Sequence, residues 1–164
     1  MERKSKSYRP AKDSSKLKIN IFNFQKDISL VNKDIEDQVN FLLTSSNIRC
    51  DEISIYYVNE KTIIDLHNKY FSDPTITDCI TFPIDNNEKD KKRYCHLGEI
   101  FICPKKALDY SKENNINFKE ELCLYLVHGF LHLLGYEDDK KESKRVMRKE
   151  EKKYIEILKQ NNFL

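Results

Sequence analysis

The chain has no tryptophan, only three glycines and four prolines in 164 residues, no CxxC pair and no internal repeat. No apolar run approaches the ~20 residues that a bilayer-spanning helix needs. These absences exclude a membrane-spanning helix, a repeat array and a thiolate metal site of the usual spacing. The five cysteines, Cys50, Cys79, Cys95, Cys103 and Cys123, are odd in number, and three of them lie within apolar stretches. Free, mostly buried thiols of a reducing compartment are therefore expected. The opening MERKSKSYRPAKDSSK is basic with no apolar segment behind it. It does not read as a secretory signal, and the expected location is the cytoplasm, away from any membrane.

A chain of this length can bury roughly two-thirds of its unfolded surface around one core, so one globular domain is expected. The net charge of +2 hides an asymmetry: residues 1–18 and 140–164 each carry +5, and the middle carries −8. Basic flanks suit either a solvated tail and helix face or contacts to a polyanion backbone. Residues 1–16, charged and nearly devoid of apolar side chains, read as a disordered tail ahead of a domain spanning 17–164.

Proline and periodicity divide the domain. Leu17, Ile19 and Ile21 alternate with polar residues as in a half-buried strand, and the phase then shifts to Phe22 and Phe24, which marks a bulge or the strand's end. Asn32 is placed to cap a helix carrying Ile35, Val39, Leu42 and Leu43. EISIYYV, Glu52 to Val58, reads as a second strand and Glu60 to Tyr70 as a helix. Cys79 to Phe82 forms a short strand ended by Pro83, and a charged connection over 86–93 follows. Leu97 to Cys103 is a strand stopped by Pro104, and Lys105 to Asn114 a short helix. Asn117 with Glu120 resembles a capping box opening a helix from Phe118 to Leu134. That helix is apolar on nearly every side from Leu122 onward, so it should be central and buried. A last helix, Lys140 to Gln160, should pack through Val146, Tyr154, Ile157 and Leu158. The fold class is α/β (α+β): a single domain with a small mixed sheet packed with helices and a metal site at the end of the central buried helix.

The segment HGFLHLLGYEDD carries the chemistry. His128 and His132 are four residues apart, one turn apart on one helical face, so two imidazoles can converge on a point. Buried histidines cost about 1 to 3 kcal/mol unless satisfied, and a shared metal satisfies both. Gly135 can take the positive φ that ends a helix, after which Glu137, Asp138 or Asp139 can supply a carboxylate. Two imidazoles and one carboxylate leave an open coordination position, as in catalytic zinc sites. The metzincin spacing H-E-x-x-H-x-x-G-x-x-H puts the turn at Gly135 and the third ligand at Asp138, with Asp139 the fallback. The Glu that pattern needs after its first His is absent; Gly129 stands there, which excludes that protease chemistry. A glycine inside a helix costs about 1 kcal/mol against alanine, so Gly129 marks a close approach, of a ligand or of a packed strand. Zn²⁺ is the expected ion, although the same donors accept Fe, Ni or Mn.

Three segments together resemble a known family. HGFLHLLGYED is similar to the HGxLHLxGYDH signature of the YbeY family, TDCITFP (Thr77 to Pro83) to its TDVLSFP, and LGEIFICP (Leu97 to Pro104) to its LGDIxIxP, in the same order and at similar spacing. The resemblance covers most of residues 17–160 and implies a metal-dependent, single-strand-specific endoribonuclease. Its implied substrate is rRNA precursor, 16S included, its implied partner the ribosomal small subunit, and its implied setting rRNA maturation and ribosome quality control. It also implies metal ligands at His128, His132 and the position of Asp138, where the family has a third His. An anionic third ligand would acidify bound water less than an imidazole. The family's Arg after the Tyr preceding TDVLSFP is replaced by Phe71, so Lys69, Arg93, Lys105 or Lys106 would have to supply the cation.

Glu99 in an apolar strand and Asp78 at the start of another are candidates to orient a ligand or act as acid/base, or to make structural hydrogen bonds. His67 and His96 read as surface or packing residues, and Tyr136 as packing on the turn. Two other functions fit the same residues. One is a ribosome-associated RNA-binding assembly factor whose metal is structural; the other is a metal hydrolase acting on a substrate other than RNA.

Overall fold

A computed structural model describes residues 17–85 and 94–164. The expected disordered tail, the connection over 86–93 and the candidate cation Arg93 lie outside the described residues. The elements run β1 (Lys18–Asn23), α1 (Asn32–Ser45), β2 (Glu52–Tyr57), α2 (Glu60–Phe71), β3 (Cys79–Pro83), β4 (His96–Ile102), α3 (Pro104–Asn114), α4 (Phe118–Leu133) and α5 (Lys141–Gln160). One mixed sheet has the order β1-β2-β4-β3, with β1, β2 and β4 parallel and β3 antiparallel to β4 at an edge. Parallel neighbours need crossovers, and helices supply them here.

Strand alternation assigns the faces. Ile53, Ile55 and Tyr57 of β2 and Leu97, Ile100 and Ile102 of β4 are fully buried in the main core with α1, α4 and α5. Each such side chain contributes about 1.5 to 3 kcal/mol through burial. The other face buries a smaller cluster of Val58, Ile80 and Cys103 against Ile63 of α2. Across that face runs a stack of rings: Phe22 on Tyr56 at 4.9 Å, Tyr56 on Phe101 at 4.5 Å, and Phe101 edge-on to Phe82 at 5.7 Å. The phase shift after Ile21 is the strand's end: Phe22 and Phe24 are exposed, and β1 stops at Asn23. The five cysteines form no disulfide with one another, and three of them are buried.

Local differences from the sequence reading have simple causes. Val31, not Asn32, occupies the N-cap of α1, where no side chain caps the helix; Asn32 is its first helical residue. Pro83 remains in the ladder opposite Gly98, which an edge strand tolerates. Asn117 Oδ1 accepts from the Glu120 N–H at 3.1 Å, but the Glu120 carboxylate goes to Lys159 at 2.6 Å, so only half of a capping box forms there. On α5 the buried stripe is Met147, Tyr154, Ile155 and Leu158, with Val146 exposed and Ile157 half-buried. The packed face is therefore one residue out of phase at its start.

The central helix α4 is buried on almost every side, through Leu126, Val127, Phe130 and Leu131 among others. Gly129 is where it meets the sheet. A Cβ there would lie 2.5 Å from Ile100 Cγ2 and 3.3 Å from Thr81 Cγ2. The close approach expected at Gly129 is thus to packed strands. Alanine would gain about 1 kcal/mol of helix propensity but overpack against a stiff β-branched neighbour at about 1 to 3 kcal/mol. We expect Gly129→Ala to lower the urea midpoint with an unchanged m-value; a raised midpoint would show that the contact relaxes freely.

Candidate metal centre

The last turn of α4 builds the centre. Leu134 is the C-cap, Gly135 follows at φ +89°, the Gly135 N–H donates to His132 O at 3.0 Å, and the Tyr136 N–H donates to Leu131 O at 3.1 Å. That pair of bonds is a Schellman closure, which requires the left-handed residue glycine supplies. The turned-back chain brings the Tyr136 carbonyl onto His132 Nδ1 at 2.9 Å. It also carries Asp138 over the histidine pair, with Oδ2 3.7 Å from His128 Nε2 and Oδ1 3.9 Å from His132 Nε2. Among the described residues these three form a group whose donor atoms lie within 4.8 Å of one another and could hold a metal ion.

The two imidazoles stand nearly perpendicular, and their Nε2 atoms are 3.0 Å apart. His128 Nδ1 lies 2.5 Å from Glu151 Oε1, which reaches across from α5. Burial opposes protonation of His128. The Glu151 hydrogen bond and the nearby carboxylates of Asp78, Glu151 and Asp138 outweigh it, so the imidazole is held above its ordinary value. The donor set of two imidazole nitrogens and a carboxylate fits a borderline divalent ion such as zinc.

The other sequence candidates separate. Asp78 precedes β3, where its Oδ1 accepts from the Cys79 N–H at 2.8 Å, and its charge reaches His128. Glu99 belongs to the opposite face of the sheet, where its Oε1 accepts from the Tyr56 hydroxyl at 3.1 Å, away from the histidine pair. Asp139 Oδ1 accepts from the Ser143 hydroxyl at the start of α5, and Glu137 is exposed. His67 is held at the surface by Thr75 O at 2.8 Å. His96 is half-buried, with a buried Nε2 that has no partner among the described residues. Tyr136 packs on the core, but its backbone carbonyl, not its ring, contacts the centre. Of the candidate cations, Lys69 lies over the Tyr70 ring, Lys105 pairs with Asp109, and Lys106 is half-buried on α3. Phe71 ends α2 and is exposed.

Sequence reading missed Glu151. The available signal was an acid at a packed position, four residues after Met147 and four before Ile155 on the buried stripe of α5.

The sequence profile described as endoribonuclease YbeY matches residues 11–159. The chain belongs to the YbeY endoribonuclease family. An endoribonuclease YbeY of Protochlamydia amoebophila is 40% identical over 141 residues, 86% of this chain and 93% of that protein. One of Chlamydia pneumoniae is 39% identical over 153 residues, 91% of this chain and 96% of its own length. A Thermotoga maritima protein of known solution structure shares the fold, with TM-score 0.57 and 28% identity over 84% of this chain and 87% of that one. Membership in the YbeY family makes this chain an enzyme class that hydrolyses RNA phosphodiester bonds. No helix among the described residues is long and apolar enough to cross a membrane.

Glu121 lies on α4 two turns before His128 and is buried. Burial raises its carboxyl above the ordinary value, while a hydrogen bond with the Tyr125 hydroxyl works the other way. Ionisation therefore opposes folding at neutral pH, a penalty that vanishes as pH falls below the unfolded value of about 4.3. We expect Glu121→Gln to raise the melting temperature at pH 7, with the gap to wild type closing toward pH 4. A gap that widens on acidification would show a stabilising carboxylate instead.

Proposed function

We propose that this chain is a metal-dependent, single-strand-specific endoribonuclease of rRNA maturation, acting in the cytoplasm on 16S precursor and in ribosome quality control alongside the small subunit. The observation that carries the metal part is the convergence of His128 Nε2, His132 Nε2 and the Asp138 carboxylate, with each histidine Nδ1 engaged by an acceptor behind it. A divalent ion bound there, Zn²⁺ by preference, would activate water or polarise a phosphate oxygen at the scissile bond. His128, His132 and Asp138 hold it. Asp78, whose charge reaches His128, is the carboxylate near the centre suited to proton transfer or to orienting a ligand. This reading leaves Glu99 without a role in the reaction.

Lys144, Arg145 and Lys149 are exposed on α5, whose inner side carries Glu151. A basic surface on the helix that backs the centre suits sequence-independent contact with an RNA backbone, weakening steeply with salt.

Metal content and cleavage of single-stranded RNA, measured together on wild type, His128→Ala and Asp138→Ala, test the proposal. An ion that supplies several kcal/mol to the transition state implies that both variants lose metal and cleave about 100-fold or more slowly. Full metal occupancy in Asp138→Ala would remove Asp138 as third ligand. A metal-loaded wild type that leaves single-stranded RNA intact with several different ions would sink the nuclease reading for this centre. Phe71→Arg should raise the cleavage rate if phosphate passes the end of α2; an unchanged rate assigns that contact to another cation.

A further inference from the structure

We propose that Glu151 is a positioning residue that holds His128 in the tautomer and orientation needed for Nε2 to bind metal. The inference rests on the metal site proposed above. Glu151 and His128 are both mostly buried, with 15% and 17% of their side chains exposed, and Glu151 Oε1 lies 2.5 Å from His128 Nδ1. An ionised carboxylate only accepts, so Nδ1 must carry the hydrogen. In the neutral ring, Nε2 then presents its lone pair toward His132 Nε2 and Asp138.

His132 receives the same treatment from a different group. The Tyr136 carbonyl also only accepts, so His132 Nδ1 is the donor and its Nε2 carries a lone pair as well. Two lone pairs facing each other across 3.0 Å repel, and the arrangement is relieved by a proton shared between the rings or by a metal ion bound to both. The anchors differ in kind. His132 is oriented by backbone that the Schellman closure at Gly135 sets in place, and His128 by a side chain from another helix. Glu151 is thus the anchor that a substitution can remove without altering the turn that carries Asp138.

Its location argues against a purely packing role. Position 151 shares the buried stripe with Met147, Tyr154, Ile155 and Leu158, where an apolar side chain would pack without an unmet polar group. A carboxylate there costs about 1 to 3 kcal/mol unless it is satisfied. Its hydrogen bond to His128 meets that requirement. Partners behind metal-bound histidines typically change affinity by about 10- to 100-fold when removed.

The test uses the full chain with Zn²⁺ as probe, in competition with a chromophoric chelator. Glu151→Met keeps the length of the side chain and suits the stripe, so it should fold. Glu151→Gln keeps an acceptor oxygen and drops the charge. We expect Met to weaken Zn²⁺ binding about 10- to 100-fold and Gln to recover part of that loss. Nitrogen-15 shifts of metal-free protein, recorded above the imidazole titration, should show His128 as the Nδ1–H tautomer in wild type and Gln, and as a mixture in Met. Zn²⁺ affinity within threefold of wild type in the Met variant, or an unchanged His128 tautomer, would overturn the assignment. A wild type that binds neither Zn²⁺, Mn²⁺ nor Co²⁺ would overturn the metal site and this inference with it. A wild type that binds while Met binds equally well would overturn the inference alone.

Discussion

The structure depends on the close approach of α4 to the sheet at Gly129. Because no side chain intervenes there, the helix lies directly on Ile100 of β4 and Thr81 of β3. His128 and His132 flank this contact on one helical face, and the start of β3, with Asp78 and Cys79, comes alongside. A helix held off the strands by a larger residue would carry both imidazoles away from that edge. Another side of α4 packs against α5, with Phe130 edge-on to Tyr154, and α5 so delivers Glu151 to His128.

Around that scaffold three carboxylates act together on one imidazole. Asp78, Asp138 and Glu151 all act on His128, and the burial of the ring limits how far water screens them. Their joint effect is a pocket of negative potential at the end of a helix whose own dipole adds partial negative charge. Such a place attracts a cation and disfavours an anionic phosphate unless a cation is already there. The RNA backbone and the carboxylates can therefore occupy neighbouring positions only with positive charge between them. The basic outer face of α5 serves at longer range, where exposed charges act through the salt-sensitive general field.

Much of the fold was legible because period and punctuation agreed. Pro104 marked the end of β4, Asn117 stands at the cap of α4, and the near-continuous apolar run of α4 announced its burial. The errors came where local signals are degenerate. Asn32 is a good cap residue but lies one position inside α1, and Val146 and Met147 are adjacent apolar residues of which only one can face the core. The role of Gly129 was undecidable along the chain, since a ligand and a strand make the same demand for a missing side chain.

By itself the sequence determined the histidine pair, the helix-ending Gly135 and the family, because i,i+4 spacing, glycine's access to positive φ and a motif order are all properties of the chain read in a line. Long-range contacts had to come from packing. Glu151 is separated from His128 by 23 positions, and nothing in either segment names the other. Glu99 and Asp78 read alike as acids beside apolar strands, yet the two-residue period of β4 turns Glu99 to the far face, while the start of β3 leaves Asp78 close enough for its charge to reach His128 of α4. Which acids meet the histidines was decided by the tertiary structure, since the side of a strand and the partner of a helix are settled only when the layers close.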